Sequence, residues 1–411
     1  MTQKNNDDSV FYRLLSAMKR CLVLIIKKIL LIVIPQGKVI LFESHPDFSD
    51  NTYPVYKLLK KILPNYKMVW ILNRDPSESD VLNDADDTIR PGNKDIREKL
   101  KCYYYRLRCS AIVQCNIIRR KLRPRQLSIF LAHGSETKRV KEIYNINESL
   151  VDYLNLQSHY FDESSVDNLN CSPEKFVYLG YPRCDYFYSN DNPQNIEQII
   201  TGEKFKFIIW LPTFRQHRAM TRDDAPNSVF NNIGVPLFYS PESLIDFNEF
   251  IRNLDIHILY KPHPAQYMGV IKSIKSEDLS NFHIIYDSDI LGKRLQLYQV
   301  IAQSKALITD YSSVFWDYLL LDRPIAITTD DLQNWKKGRG FALDLEKIHE
   351  ETTEKISCDE ELRDFIINLL KGNDPKKERR REIRDLANMH QDGNSALRVA
   401  NFVIERLGIK L

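Results

Sequence analysis

The segment 306–317, ALITDYSSVFWD, carries the residues best suited to phosphate chemistry. Its pattern predicts an apolar strand that ends at Asp310 and a helix that begins beside Ser312 and Ser313. The first amide groups of a helix have no partner within it, and the helix dipole is positive there, so a phosphate is favoured. The alternative is an ordinary N-cap with nothing bound. We expect Asp317, one turn later, either to accept bonds from ligand hydroxyls or to be solvated.

A second apolar run ends in WLPTFR, which places Thr213 and Arg215 just beyond a predicted strand. Arginine suits a phosphate because its planar guanidinium group can bind two oxygens at once. An arginine in an exposed loop usually has no such role. The motif by itself therefore leaves both interpretations open.

Two histidines also follow predicted strands. His263 lies between two prolines in LYKPHP, shortly after Lys261, and the prolines stiffen the loop because they fix φ. His133 precedes Gly134 in FLAHGSETKR, with Lys138 close behind. A histidine titrates near neutral pH and can accept a proton from an attacking hydroxyl, and a glycine lets a ligand approach the backbone. A structural or merely exposed histidine is the alternative at each position.

The elements that must position these motifs are short apolar runs separated by helical or polar segments. This pattern is typical of parallel sheets that are covered on both faces. The predicted strands are 38–42, 67–72, 111–115, 128–132, 151–156 and 176–179, followed by 205–211, 256–260, 283–286, 306–309 and 324–328. The predicted helices include 56–63, 247–254, 293–303 and 314–321.

The polar stretch 189–203 separates the two groups of strands and is interpreted as a linker. The chain is therefore predicted to be an α/β protein with two doubly wound, Rossmann-like domains, 37–195 and 196–375, that face a cleft. A pair of terminal helices is predicted within 376–411. Such domains bind ligands at the carboxyl ends of their strands, so we expect the motifs described above to meet in the cleft.

Residues 1–36 have a different composition. Three cations recur every seven residues on one face of a helical wheel, and apolar side chains occupy the opposite face. This arrangement predicts an amphipathic helix that lies on an anionic membrane surface, because the apolar runs are too short to span a bilayer. A helix that docks on the protein's own surface and a true single span are the alternatives. The cations are Arg13, Arg20 and Lys27, and the apolar residues are Phe11, Leu14, Leu15, Met18, Leu22, Ile25 and Ile29.

The overall composition argues against several other classes of protein. The net charge of +3 is too small to indicate a nucleic-acid partner, and none is expected. The seven cysteines contain no CxxC pair, which favours reduced thiols in a cytoplasmic setting over a zinc site or a disulfide framework. Asp-x-Asp pairs, such as those at Asp84 and Asp287, arise by chance in a chain with 55 Asp and Glu residues. No metal and no other cofactor is expected.

Together the motifs resemble the CDP-glycerol glycerophosphotransferases of teichoic acid and capsule synthesis. The resemblance covers residues 130–345, and its most specific part is the Asp-Tyr-Ser-Ser block. The matching positions, in chain order, are His133-Gly134 with Lys138, Gly180-Tyr181-Pro182-Arg183 with Asp185, Pro212-Thr213-Phe214-Arg215, Lys261-Pro262-His263-Pro264, Thr309-Asp310-Tyr311-Ser312-Ser313 with Asp317, and Arg339-Gly340-Phe341.

The resemblance implies a fold like the GT-B glycosyltransferases, with peripheral attachment to the cytoplasmic face of the bacterial plasma membrane. It implies transfer of glycerol phosphate from CDP-glycerol to a lipid-linked polymer, with release of CMP and without a metal. By the same resemblance, one of the two histidines His133 and His263 is the catalytic base. Residues implied in donor binding are Thr213, Arg215, Lys261, Thr309, Asp310, Ser312, Ser313 and Asp317; those implied in acceptor or phosphate contacts are Gly134, Lys138, Arg183, Asp185 and Arg339.

Three alternatives to this activity remain open from the sequence. The donor or the acceptor could differ: CDP-ribitol could be the donor, or a capsule or lipopolysaccharide acceptor could stand in place of a teichoic primer. The protein could be a GT-B glycosyltransferase that uses a nucleotide sugar. It could also be a catalytically silent membrane scaffold that has kept the fold.

Overall fold

The computed structural model describes residues 18, 28–73, 85–135, 137–140, 150–214, 233–264, 266, 271 and 274–410. Within them the chain forms two parallel sheets, each built from apolar strands buried on both faces. The strand FIIWL, for example, is buried at all five positions, as expected for a sheet covered by helices on both sides.

The first sheet has seven parallel strands in the described part of the chain, in the order β3-β2-β1-β4-β5-β6-β7. The strands are β1 (Val39–Glu43), β2 (Lys67–Ile71), β3 (Asp87–Ile89), β4 (Ala111–Gln114), β5 (Leu127–Phe130), β6 (Tyr153–Asn155) and β7 (Phe176–Val177). The strand order reverses between β1 and β4, the point at which doubly wound sheets bind ligands.

The second sheet repeats this order with six parallel strands among the described residues, β10-β9-β8-β11-β12-β13. The strands are β8 (Phe207–Leu211), β9 (His257–Tyr260), β10 (Phe282–Ile284), β11 (Leu307–Thr309), β12 (Ile325–Thr328) and β13 (Glu354–Ile356). Its reversal lies between β8 and β11. The prediction of two doubly wound α/β domains is therefore confirmed.

Helices cover both sheets. They are α1 (Thr52–Ile62), α2 (Ile96–Arg108), α3 (Asp162–Leu169), α4 (Ile196–Thr201), α5 (Pro241–Asn253), α6 (Asp287–Leu291), α7 (Leu297–Gln303), α8 (Val314–Tyr318), α9 (Leu332–Gly338), α10 (Leu345–Thr352), α11 (Asp359–Leu370), α12 (Lys377–Ala387) and α13 (Ser395–Arg406). The predicted terminal pair corresponds to α12 and α13.

The last helix returns to the first domain. Buried residues on one face of α13, Val399 and Val403 among them, pack in the same core as Phe42 and Tyr56 of the first sheet and its helix α1. The helix α12 contributes Ile383 to a different core, which contains residues from both domains, such as Phe130 and Trp316. The two domains are therefore packed together through shared apolar residues, and the chain crosses between them twice.

Several local predictions were wrong in detail. The stretch interpreted as a linker contains α4, whose Ile196 is fully buried and donates its amide to Oε1 of Gln303 at 3.1 Å. The predicted helix 247–254 begins earlier, at Pro241, because Ser240 and Ser243 form a capping box. The short edge strands β3 and β13 were not predicted.

The predicted amphipathic helix lies mostly outside the described residues. Of that segment, residues 28–33 are helical, and Ile29, Ile32 and Val33 are exposed. Among the residues that the structure describes, no helix is both long and apolar enough to cross a bilayer.

Candidate active site

The second-domain half of the cleft is built where β8 and β11 end side by side. The amide nitrogen of Thr213 donates to Oδ2 of Asp310 at 2.9 Å, and its hydroxyl donates to the same oxygen at 2.8 Å. The hydroxyl of Thr309 donates to the carbonyl oxygen of Leu211 at 2.6 Å. Thr213, Thr309 and Asp310 are buried, so these bonds fix the two loops against each other. Arg215 lies outside the described residues.

Ser312 and Ser313 follow directly and are only half-buried, so their side chains reach the surface of the cleft. The hydroxyl of Ser312 accepts a long bond from the amide of Val314 at 3.4 Å. Ser313 is the N-cap residue of α8, and its side chain makes no capping bond. An ordinary capping role therefore explains part of the position of the Ser312 hydroxyl, and it does not explain that of the Ser313 hydroxyl.

The first-domain half of the cleft brings Gly134 against this turn. A Cβ atom placed on Gly134 would lie 2.1 Å from Oγ of Ser313, far inside van der Waals contact. Only a glycine permits this approach between the loop that follows β5 and the start of α8. The sequence explained the glycine by close approach of a ligand, whereas the structure shows close approach of the other domain.

His133 is exposed to solvent at the wall of the cleft, although protein also lies close around its ring. The surrounding protein lowers the pKa of His133 because it removes water from the imidazolium form. The carboxylate of Asp50 opposes this shift, and the cations Arg183 and Lys138 add to it. The imidazole is therefore neutral at physiological pH and able to accept a proton.

His263 faces His133 from the second domain. Burial lowers the pKa of His263 to about 3, and Lys138, Lys261 and His133 add to the shift through their positive charge. The two predicted histidines and Lys138 therefore lie close enough to interact electrostatically. The ring of His263 packs at 4.8 Å from that of Phe214, and Lys261 forms a buried ion pair with Asp287 at 3.0 Å.

Asp317 is not solvated, and this alternative was wrong. It is fully buried: Oδ2 accepts from Nη2 of Arg183 at 2.7 Å and from the hydroxyl of Tyr298 at 2.5 Å, and Oδ1 accepts from Nε2 of Gln157 at 2.9 Å. Both carboxylate oxygens thus have protein partners, and contact with a donor is not favoured. Burial raises the pKa of Asp317, and the charge of Arg183 opposes that shift.

Two of the residues predicted to contact the acceptor or a phosphate, Arg183 and Asp185, have other positions. Arg183 is 4% exposed and lies beneath the cleft surface. Asp185 accepts from the amides of Ser395 and Ala396 at 2.9 and 2.7 Å and so caps α13, away from the cleft. Arg339 is half-buried at the end of α9. The burial of Arg183 and the capping bonds of Asp185 contradict a direct contact with an acceptor.

Lys138 belongs to a small junction between the domains. It pairs with Phe341 in an antiparallel bridge, and the amide of Ala342 donates to the carbonyl oxygen of Thr137 at 3.1 Å. The ammonium group of Lys138 lies 5.4 Å from the centroid of the Trp335 ring. The loop that carries His133 is therefore attached to the second domain at Gly134 and again at Thr137 and Lys138.

The loop that follows β1 was not predicted to belong to the site. This loop contains Asp50, which binds Arg183, and Asn51, whose Nδ2 donates to the carbonyl oxygen of Ala132 at 2.7 Å. It also contains His45, whose charge contributes to lowering the pKa of His263. The signal that could have identified it is its place beside the reversal point of the first sheet. Within the described ranges, no group of three or more His, Cys, Asp or Glu side chains is placed to hold a metal ion.

Comparison with known proteins agrees with this geometry. A family model described as CDP-Glycerol:Poly(glycerophosphate) glycerophosphotransferase matches residues 25–405. The chain belongs to this family. A teichoic acid poly(glycerol phosphate) polymerase from Staphylococcus epidermidis is 26% identical over 335 residues, which cover 74% of this chain and 42% of the relative. A teichoic acid ribitol-phosphate primase from Bacillus spizizenii is 27% identical over 230 residues, 55% of this chain and 52% of the relative.

The chain spans about half the length of these two curated relatives. Among solved structures, a variant of the wall teichoic acid polymerase TagF has a TM-score of 0.72 and 22% identity, covering 90% of this chain and 89% of that chain. A UDP-N-acetylglucosamine 2-epimerase has a TM-score of 0.52 and 11% identity, covering 91% and 97%. Both likenesses show the fold, two facing Rossmann-like domains in a GT-B-like arrangement.

Proposed function

We propose that the chain is a CDP-glycerol-dependent glycerophosphotransferase. It moves glycerol phosphate from CDP-glycerol to a hydroxyl of a membrane-linked cell-surface polymer or primer and releases CMP. The observation that carries the proposal is the contact of the His133–Gly134 turn with the Ser312–Ser313 turn, inside a chain that matches this family over residues 25–405.

In this proposal the donor lies on the second domain. The hydroxyls of Ser312 and Ser313, at the cleft surface, hold the diphosphate, and Arg215 supports it. Thr213 and Asp310 act indirectly, because their mutual hydrogen bonds set the relative position of the two loops. Lys261, although paired with Asp287, adds positive charge beside the phosphates.

The transfer proceeds in one step without a covalent enzyme intermediate. The acceptor hydroxyl loses its proton to His133, its oxygen bonds to the β-phosphorus, and the bond from that phosphorus to the oxygen of CMP breaks. His133 is the better base of the two histidines, because His263 has a pKa of about 3 and lies among cations. Positioning and charge stabilisation supply most of the acceleration in phosphoryl transfer, and a base adds roughly 10²–10⁴-fold.

A panel of donors tests this assignment. Purified full-length chain is incubated with CDP-glycerol, CDP-ribitol, and UDP- or CMP-sugars, together with a lipid-linked primer, and the released nucleotide and the product mass are measured. We expect CMP release and a mass increase of one or more glycerol phosphate units with CDP-glycerol. Release from a nucleotide sugar alone, or from no donor, would contradict the proposal.

CDP-ribitol is the second candidate donor, because a ribitol-phosphate primase is among the relatives at 27% identity. The two donors differ only in the polyol, and the diphosphate contacts proposed above do not distinguish them. The same panel separates the two, since the added mass per unit differs between glycerol phosphate and ribitol phosphate.

We also propose that the protein binds peripherally to the anionic cytoplasmic face of the bacterial plasma membrane, where its lipid-linked acceptor lies. Besides the segment 1–36, one face of α2 supports this: Ile96 and Leu100 are 65% and 63% exposed. The exposed cations Arg97 and Lys99 lie on the same helix and form no ion pair with any described residue. Apolar side chains flanked by cations are typical of surfaces that contact anionic lipid.

Vesicle flotation tests the membrane contact. The full chain is expected to float with vesicles that contain phosphatidylglycerol and to remain unbound with phosphatidylcholine alone. Leu100→Glu should lower the bound fraction several-fold, because it places a charge against lipid. The matched control is Leu370→Glu, at the exposed end of α11, which should bind as the parent does. Equal binding to both kinds of vesicle would contradict an anionic surface.

A further inference from the structure

Arg183 joins the two domains directly beneath the cleft. Its guanidinium group lies between the rings of Tyr181 and Tyr298, 5.2 and 4.9 Å from their centroids. Nη1 donates to Oδ1 of Asp50 at 2.8 Å, and Nη2 donates to Asp317 in the second domain. Burial opposes the charge of Arg183, but the nearby carboxylates raise the pKa of Arg183 and keep it protonated.

The same arginine holds the backbone that carries His133. Nη1 also donates to the carbonyl oxygen of His133 at 2.5 Å. The amide of Arg183 donates to Oδ1 of Asn51 at 3.2 Å, and Asn51 in turn binds the carbonyl oxygen of Ala132. Ala132 has φ of 55°, in the left-handed region that residues with a Cβ rarely adopt. Such a conformation persists only where its surroundings fix it.

We propose that Arg183 is a positioning residue for His133, and that Asp317 links it to the donor side of the cleft. Asp317 lies on α8, one turn after Ser313, so the helix that begins at the proposed phosphate site also fixes the guanidinium group. That group in turn fixes the carbonyl oxygen of His133. The relative position of His133 and of the Ser312–Ser313 turn therefore depends on one buried cation, Arg183.

The charged groups around His133 allow this role to be separated from a purely structural one. Asp50 on the β1–α1 loop favours the imidazolium form, whereas Arg183 and Lys138 oppose it. His263 faces the ring from the β9 loop, and the backbone at Cys115, after β4, also contacts it. Asp50 and Arg183 hence affect the basicity of His133 in opposite directions, although they bind each other.

The test is the pH profile of kcat/KM for CMP release. In Asp50→Asn the acid limb should move to lower pH, because a carboxylate that favours the imidazolium form is lost. In the double variant Arg183→Gln with Asp317→Asn it should move to higher pH, since the opposing cation is lost. We expect each shift to be roughly half to one pH unit. Replacing Asp317 together with Arg183 avoids leaving the fully buried carboxylate without a partner, and the second partner, Asp50, has a side chain that is 15% exposed to solvent.

The double variant should also separate kcat from KM. Misplacement of a base by about 1 Å lowers the rate up to roughly 100-fold. We expect kcat to fall at least about tenfold while KM for CDP-glycerol changes less than about threefold. The matched control is Arg380→Gln with Asp374→Asn. Arg380, on α12, is 1% exposed, and its Nη2 donates to Oδ2 of Asp374 at 2.5 Å. That variant should lose thermal stability and keep the parent's pH profile.

The inference is overturned if neither acid limb moves, if both move in the same direction, or if the Arg380 control shifts as much. It rests on the proposed function, in which His133 is the base, and the two can fail separately. If His133→Ala keeps full turnover, the base assignment itself is wrong. If His133→Ala is inactive and the two profiles remain at the parent's position, only the positioning role is wrong.

Discussion

Gly134 and Ser313 lie in such close contact that the smallest side chain would not fit between them. A methyl group on Gly134 would meet Oγ of Ser313 at 2.1 Å and its Cβ at 2.7 Å. The atoms that must move belong to the two turns that form the cleft, one from each domain. Close packing here therefore acts together with the bonds of Arg183 to hold the proposed base near the proposed phosphate site.

Gly134→Ala should consequently impair turnover more than folding. Overpacking of this kind destabilises by about 1–3 kcal/mol, and the displacement falls on the reacting groups. We expect kcat/KM for CMP release to fall by roughly 10–100-fold, with a small decrease in Tm. Gly92→Ala is the control, because a Cβ at Gly92 has no neighbour within 4 Å. Parent-like kinetics in Gly134→Ala would show that the contact is not required.

The two histidines should differ in their effect on the reaction. His133→Ala is expected to lower kcat by roughly 10²–10⁴-fold, because the proton acceptor is lost. His263 has a pKa of about 3 and is neutral at every pH used for assays, so the acid limb of the rate profile cannot report its titration. If the acid limb disappears in His263→Gln and persists in His133→Gln, the roles are reversed. Donor binding, measured by calorimetry, should change only a few-fold in either variant.

The sequence predicted the fold well because strands buried on both faces are continuous apolar runs. Strands such as β1 and β8 are of this kind, and polar helical segments separate them. By contrast, β3 and β13 have only three residues each, DTI and EKI, which is too short for an apolar pattern to be recognised. Pairing at a sheet edge creates such strands, and pairing depends on tertiary structure.

The site was predicted in part, for a related reason. Residues that follow strands in chain order, such as His133 and Ser313, were predicted to meet because the carboxyl ends of parallel strands share an edge, and the structure brings their turns together. The role of Arg183 was missed, because its partners Asp50 and Asp317 are 133 and 134 positions away in the sequence. No local pattern distinguishes an arginine that binds phosphate from one that binds two buried carboxylates.

Asp185 offers a test of one corrected assignment. Its two carboxylate oxygens accept the amides of Ser395 and Ala396 at the start of α13, which packs on the first domain. Asp185→Ala removes this cap and should lower the free energy of unfolding by about 0.5–2 kcal/mol. Asp185→Asn, which keeps one acceptor, should lose less. KM and kcat at a temperature well below Tm should match the parent in both, whereas a direct acceptor contact would raise KM for the acceptor.

His349 should make the protein sensitive to acid. It is 3% exposed, its Nε2 has no hydrogen-bond partner among the described residues, and its ring packs edge-on against Phe315 at 4.7 Å. Burial lowers the pKa of His349 to about 3, from an ordinary value of 6.5. Between pH 6.5 and 3 the unfolded chain binds a proton at this site that the folded chain does not, so stability falls as the pH falls through that window.

Chemical denaturation at a series of pH values measures this effect. One such histidine contributes at most about 1.4 kcal/mol of unfolding free energy per pH unit. His349→Leu should therefore reduce the slope of stability against pH below 6 and should leave the slope above pH 7 unchanged. His390→Gln is the control and should retain the parent's slope; Nε2 of His390 donates to the carbonyl oxygen of Tyr178 at 2.9 Å. An unchanged slope in His349→Leu would mean that the buried imidazole becomes protonated without unfolding the chain.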